Sequence, residues 1–93
     1  YEDKYCIAFN DIAAQAPIHF LVIPKKPIIN LLNCEEEDKN LLGHLLLVGR
    51  KIAIKKNIDN WRTIINTGSN AGQTVFHLHI HFLAGRPMKW PPG

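Results

Sequence analysis

The chain is short of the devices that small proteins use to hold themselves together. It has two cysteines, Cys6 and Cys34, among 93 residues. That is too few for a disulfide framework, and with no signal peptide recognisable they read as free thiols in a reducing, cytoplasmic compartment, with the nucleus also open to the chain. Apolar runs such as residues 45–48 fall far below the roughly 20 residues of a membrane span, so no membrane partner is expected. The net charge of +3 is mild, and the basic residues are scattered or paired (Lys25-Lys26, Arg50-Lys51, Lys55-Lys56) without interleaved aromatics. This argues against a nucleic-acid-binding face and suits a small anionic ligand equally well. No repeat or internal linker interrupts the sequence, so residues 1–93 are expected to form one domain. A domain of this size sits near the lower limit for a self-sufficient core. With no disulfides to help, association with a second copy is the expected support.

What is present is ordered by hydrophobic periodicity. Residues 4–10 alternate, with Tyr5, Ile7 and Phe9 on one face and Cys6 and Ala8 on the other, which predicts a strand. Residues 18–24 predict a second strand, stopped by Pro24 and Pro27, and the short connection favours antiparallel pairing. Residues 34–56 predict a helix capped by Asn33, with acidic residues 35–38 at its start and Lys51, Lys55 and Lys56 near its end. Leu41, Leu45, Val48 and Ile52 form its apolar stripe. Gly43 and Gly49 lie inside it, each costing roughly 1 kcal/mol against Ala. They mark either tolerated weakness or close backbone approach, including approach across a subunit interface. Residues 61–66 and 75–83 predict two further strands around a Gly/Ser/Asn loop at 67–73, followed by a Pro-rich tail. The order β-β-α-β-β points to an α+β fold with an antiparallel sheet and one main long helix.

Three of the five histidines stand at alternate positions, His77, His79 and His81. On a strand they share one face, while Leu78, Ile80 and Phe82 share the other and must pack on something, most simply the helix. In a regular strand the outer two are about 13 Å apart at roughly 3.3 Å per residue, so one metal cannot take all three. Two of them with His19 could close a site, yet no Cys or carboxylate lies nearby in sequence to complete it. Catalysis remains. A neutral imidazole is a good nucleophile toward an activated phosphorus if one nitrogen is free and the other is fixed by a hydrogen bond. Flanking donors then steady the phosphate, and close imidazole neighbours disfavour protonation. Gly68 and Gly72, just ahead of the histidines, could turn successive backbone N–H groups toward an anion, and Thr74 adds a hydroxyl.

The stretch "HLHIHFL" has the His-φ-His-φ-His-φ-φ form of the histidine triad (HIT) superfamily. "AFNDIAAQAPIHFLVIPKK", "LLGHLLLVGRK", "NTGSNAGQTVFHLHIH" and "GRPMKWPPG" resemble its histidine triad nucleotide-binding branch, the purine nucleoside phosphoramidases, over essentially the whole chain. Relative to that branch the chain lacks the usual N-terminal segment. The resemblance implies a homodimer in which two protomers join their sheets. It also implies hydrolysis, without cofactor or metal, of adenosine and guanosine 5′-phosphoramidates to AMP and GMP, and of aminoacyl adenylates.

The same resemblance implies roles for single residues. His79 attacks the α-phosphorus and becomes nucleotidylated; His81 contacts the phosphate; His77 holds its neighbours; His19 approaches from the second strand. Asn66, Gly72, Gln73 and Thr74 bind phosphate and leaving group. Asp11 accepts from the ribose hydroxyls, with an ordinary Asx turn as its other reading, and Phe9, Ile12, Phe20 and Leu21 wall the base pocket, although from the residues alone Phe9, Phe20 and Leu21 read first as core. Trp90 of one subunit closes the leaving-group side of the other. His44, Arg62 and Arg86 read as structural or surface residues. Thr74 stands where Ser is usual, and Asn10 and Lys89 where His is common, which places leaving-group selectivity in question. Dinucleoside polyphosphate hydrolysis and non-catalytic nucleotide binding are the competing functions.

Overall fold

In a computed structural model describing residues 1–93, the predicted order of elements is realised. Strands β1 (Cys6–Asn10), β2 (Ile18–Pro24), β3 (Arg62–Ile64) and β4 (Ile80–Ala84) form one sheet in the order β1-β2-β4-β3, and every neighbouring pair is antiparallel. Helix α1 (Lys39–Lys55) covers one face of it. The core lies between: Leu45 and Val48 from the helix meet Phe20, Val22, Ile80 and Phe82 from the sheet, joined by Cys6, Ile28 and Leu78. No helix is long and apolar enough to cross a membrane. Both cysteines are free.

The helix starts later than expected. Asn33 does not cap it; it ends a separate 3-10 turn (Leu31–Asn33), whose cap is the Asn30 side chain accepting from the Leu32 N–H. A second 3-10 turn (Glu36–Asp38) intervenes. Asp38 is buried there; it takes the Glu35 N–H on one oxygen and Lys26 Nζ on the other. Those partners hold the acidic segment against the 24–30 connection and delay the helical path until Lys39.

The last strand is also shorter than the predicted 75–83, because its partner runs out. Val22 pairs with Ile80, and the same register would next set Leu78 against Pro24, which has no N–H to give. The Leu78 N–H instead donates to the Ile28 carbonyl at 2.7 Å. Side-chain alternation nevertheless persists through residues 77–82: Leu78, Ile80 and Phe82 are buried, and the three histidines between them are half-exposed.

The two helix glycines differ. A Cβ built on Gly49 would lie 2.0 Å from Phe82 Cζ, so this glycine lets the helix approach β4. Gly43 faces open space, with nothing within 4 Å of a built Cβ.

Candidate active site

The antiparallel register draws the site together on the face away from the helix. Phe9 pairs with Leu21, Leu21 with His81, and His81 with Ile64, so one row crosses four strands. His19 lies two residues before Leu21 and shares its face. Phe20, expected in the base pocket, is on the other side. It pairs with Phe82 and stacks on it with ring centroids 5.0 Å apart, 4 % exposed, in the core. Adjacent strand residues point to opposite faces, so Phe20 faces the helix while Leu21 faces the histidines.

Four hydrogen bonds order the protons on the histidines, because a carbonyl can only accept and a backbone N–H can only donate. His77 Nε2 donates to the Pro24 carbonyl at 2.8 Å. His79 Nδ1 donates to the His77 carbonyl at 2.8 Å. In the neutral ring this leaves the lone pair of His79 on Nε2. The Gln15 N–H donates to His19 Nδ1 at 3.0 Å, so the His19 proton sits on Nε2, 2.9 Å from His81 Nδ1. The Asp11 carboxylate, 3.4 Å from the same His19 nitrogen, favours that placement. His81 Nδ1 therefore accepts, and its Nε2 carries a proton free to be donated outward. Burial, then the neighbouring His79 and His19, lower the His81 pKa against a weaker pull from Asp11, which keeps this ring neutral. The His79 and His81 rings stand edge to face, 4.9 Å between centroids. A nucleophilic nitrogen thus sits beside a fixed N–H donor.

The loop before the histidines is built differently from the expected cradle. The N–H groups of Ala71, Gly72 and Gln73 bond to carbonyls inside the loop, and that of Gly68 bonds to Gln73 Oε1. Gln73 is 2 % exposed, and its amide is fully occupied. Its oxygen takes Asn30 Nδ2 and the Gly68 N–H, and its nitrogen gives to the Ile29 and Val75 carbonyls. It is a strut for the loop, with no group left for phosphate. Gly72 adopts φ 100°, which a side chain would strain, and lies against the Asn66 amide. Thr74 is exposed, and its N–H makes no backbone hydrogen bond.

Comparison with known proteins follows the same lines. The HIT domain family model matches residues 1–88. The chain belongs to the HIT family. An uncharacterized HIT-like protein of Synechococcus elongatus is 57% identical over 94 residues, covering 100% of this chain and 82% of its own. The crystal structure of a HIT family hydrolase from Legionella pneumophila superposes with a TM-score of 0.97 at 42% identity, covering 100% of this chain and 85% of that one. A histidine triad nucleotide-binding protein from Candida albicans gives a TM-score of 0.81 at 27% identity, covering 98% and 71%.

Within this HIT chain the other expected positions are distributed as follows. Asp11 satisfies its Asx reading, with Oδ1 accepting from the Ala13 N–H, while Oδ2 lies 3.4 Å from His19 and 4.0 Å from His81. Ile12 is wholly exposed and Trp90 is 82% exposed on the tail. Two groups of side chains have donor atoms close enough for a metal ion: Asp11, His19 and His81, and separately Asp3, Cys6 and His44. In the first, an ion would have to break the His19–His81 bond. In the second, Asp3 Oδ2 and His44 Nε2 are already bonded to each other at 2.7 Å. Burial alone would raise the Asp3 carboxyl, but hydrogen bonds from the Tyr5 N–H, His44, the Tyr1 hydroxyl and the Cys6 N–H hold it well below the usual carboxylate range. Two contributors escaped the sequence reading, Gln15 and Arg86. Gln15 acts through its backbone, and Arg86 Nε and Nη2 both donate to the Gln15 carbonyl, at 3.1 and 3.0 Å. No residue pattern announces a contact made to a loop carbonyl.

Proposed function

We propose that this HIT chain is a nucleotide-binding hydrolase that cleaves purine nucleoside 5′-phosphoramidates, and aminoacyl adenylates, through a nucleotidyl-histidine on His79. The observation that carries the reading is the ordered proton arrangement: a lone pair on His79 Nε2 next to an outward N–H on His81 Nε2. The Legionella and Candida relatives, a hydrolase and a nucleotide-binding protein by name, support the class of reaction.

His79 Nε2 attacks the α-phosphorus and forms an N–P bond. With a phosphoramidate the bond from phosphorus to the leaving nitrogen breaks and the departing amine takes up a proton from solvent; with an aminoacyl adenylate the bond to the acyl oxygen breaks and the carboxylate leaves as the anion. Water then attacks the same phosphorus, the N–P bond to His79 breaks, and free nucleotide leaves. The His77 carbonyl steadies the charge on the ring while it is phosphorylated, and the His81 N–H donates to a phosphate oxygen as charge develops. Phe9, Leu21 and Ile12 offer the apolar wall for the base, Asp11 Oδ2 the acceptor for ribose, and Thr74 and Asn66 the polar groups on the leaving-group side. The exposed helix residues Leu46, Leu47 and Ile54 and the exposed Trp90 support a homodimer in which Trp90 reaches the second site.

Adenosine 5′-phosphoramidate incubated with the protein in EDTA should yield AMP, and intact mass after brief reaction should show one nucleotide adduct. His79→Asn should lose both. Full turnover in that variant would overturn the mechanism, and faster cleavage of dinucleoside polyphosphates would reassign the substrate.

A further inference from the structure

The proton on His81 depends on a chain of contacts that starts outside the histidine run. Its Nε2–H faces outward while His19 donates to its Nδ1, and two contacts keep the His19 proton on Nε2: the Gln15 N–H given to Nδ1 and the Asp11 carboxylate 3.4 Å from Nε2. Gln15 lies in the exposed connection between β1 and β2, where no strand partner holds it. What holds it comes from the far end of β4. Arg86 grips the Gln15 carbonyl with two donors, Nε and Nη2, and fastens its own position by donating Nη1 to the Pro87 carbonyl at 3.1 Å. Beside it, Gly85 (φ 95°) is pressed against Pro17, so closely that a Cβ there would lie 2.9 Å from Pro17 Cβ. Gln15 is thus tied on both sides of its Cα, by Arg86 at the carbonyl and by His19 at the N–H. Its side chain adds a third tie, Nε2 to the Ala13 carbonyl at 2.9 Å.

We infer that Arg86 is a positioning residue: by clamping the Gln15 carbonyl it fixes the tautomer of His19 and, through it, the outward N–H of His81. An Arg suits the task because its planar fork offers two N–H groups to one acceptor and stays charged at every accessible pH. If the clamp is removed, the 11–17 connection loses its tie to β4 and the Gln15 N–H drifts from His19. The His19 proton is then free to move to Nδ1. In that form His19 Nε2 accepts, His81 must donate through Nδ1, and His81 Nε2 turns a lone pair toward the phosphate instead of a proton. Proton count is unchanged in both rings; only the address of each proton moves. The catalytic consequence rests on the function proposed above, whereas the tautomer assignment does not.

The test is histidine ring nitrogen NMR on full-length protein with 15N-labelled histidine, at neutral pH. In the native chain, His19 and His81 should each show a protonated Nε2 and a bare Nδ1. Arg86→Ala should convert both rings to a tautomer mixture, and Arg86→Lys, which keeps one donor and the charge, should restore most of the native pattern. With adenosine 5′-phosphoramidate, Arg86→Ala should lower kcat by about 10–100-fold, the scale of loss found when the outer partners that orient metal-binding histidines are removed. Arg86 is exposed, and the variant is expected to fold; if it does not, Arg86→Gln gives the same comparison. Unchanged tautomers in the Ala or Gln variant would overturn the inference, whatever happens to activity. If the native protein shows the stated tautomers yet hydrolyses no phosphoramidate, the proposed function fails and the positioning role stands.

Discussion

Replacing each helix glycine with alanine separates two roles that look identical in sequence. In an isolated helix each change should stabilise by about 1 kcal/mol. At Gly49 the new methyl would lie 2.0, 2.3 and 2.6 Å from Phe82 Cζ, Cε2 and Cε1, whereas carbon atoms settle at about 3.5–4.0 Å. The ring must retreat by roughly 1.5 Å, and it has nowhere to go. Phe20 lies stacked behind it with planes 5° apart. Overpacking of this kind costs about 1–3 kcal/mol or more. Taking the upper end for a pinned ring and subtracting the propensity gain leaves a net loss of about 2 kcal/mol. For a domain of this size that lowers Tm by about 8–15 °C. At Gly43 nothing within the chain opposes a methyl, so Gly43→Ala should raise Tm by several degrees in a monomer. Urea or thermal unfolding at two protein concentrations reads both, because a dimer's midpoint moves with concentration. A neutral or stabilising Gly49→Ala would refute the packing argument. A Gly43→Ala that destabilises at high protein concentration and loses that effect on dilution would show that a second copy covers that face.

Other outcomes follow from the site. His81 titrates below the ordinary histidine value, so the folded state resists a proton that the unfolded state accepts. Stability should be full above about pH 6.5 and fall as pH drops toward the lowered pKa; urea midpoints that stay flat down through that window would contradict it. Gln73→Leu strands Asn30 Nδ2, the Gly68 N–H and two carbonyls. It should cost about 3 kcal/mol or more, seen as a lower urea midpoint and faster proteolysis at residues 67–73. Phe9→Ala should weaken AMP binding in calorimetry with little change in stability, whereas Phe20→Ala should cost about 3–5 kcal/mol; the opposite pattern would place the base on the helix side.

The sequence was most legible where a period carried the signal. Alternation at residues 4–10, 18–24 and 75–83 predicts the shared histidine face and three strands, of which the structure keeps the second whole and the other two in shortened form, and the stripe through Leu45 and Val48 predicts what covers the other side. Legibility fell where tertiary partners decide. Asn33 is a plausible cap in sequence, but the Glu35 N–H and Lys26, twelve residues away, draw Asp38 inward and delay the helix. The end of β4 depends on a missing N–H in β2. Phe20 reads from the residues as core, where the structure has it, and only the resemblance puts it in the base pocket; its parity alone places it opposite His19 and Leu21. The family resemblance makes Gln73 a phosphate ligand, but its buried amide is taken up by partners inside the protein. Arg86 reads as a surface charge because its partner is a backbone oxygen on a loop 71 residues earlier in the chain.

The shortness of β3 has a consequence for the His79 ring. In a sheet, backbone carbonyls are spoken for by the neighbouring strand. His81 and Leu83 turn their backbone groups toward β3, as His77 does two steps earlier, but pairing with β3 stops at Ile64 and His81. The carbonyl of His77 therefore has no strand neighbour to serve and is at liberty to hold the His79 ring. Carrying β3 on alongside the histidines would make a more regular backbone. It would also recruit that carbonyl into the ladder and leave the His79 proton to choose its own nitrogen.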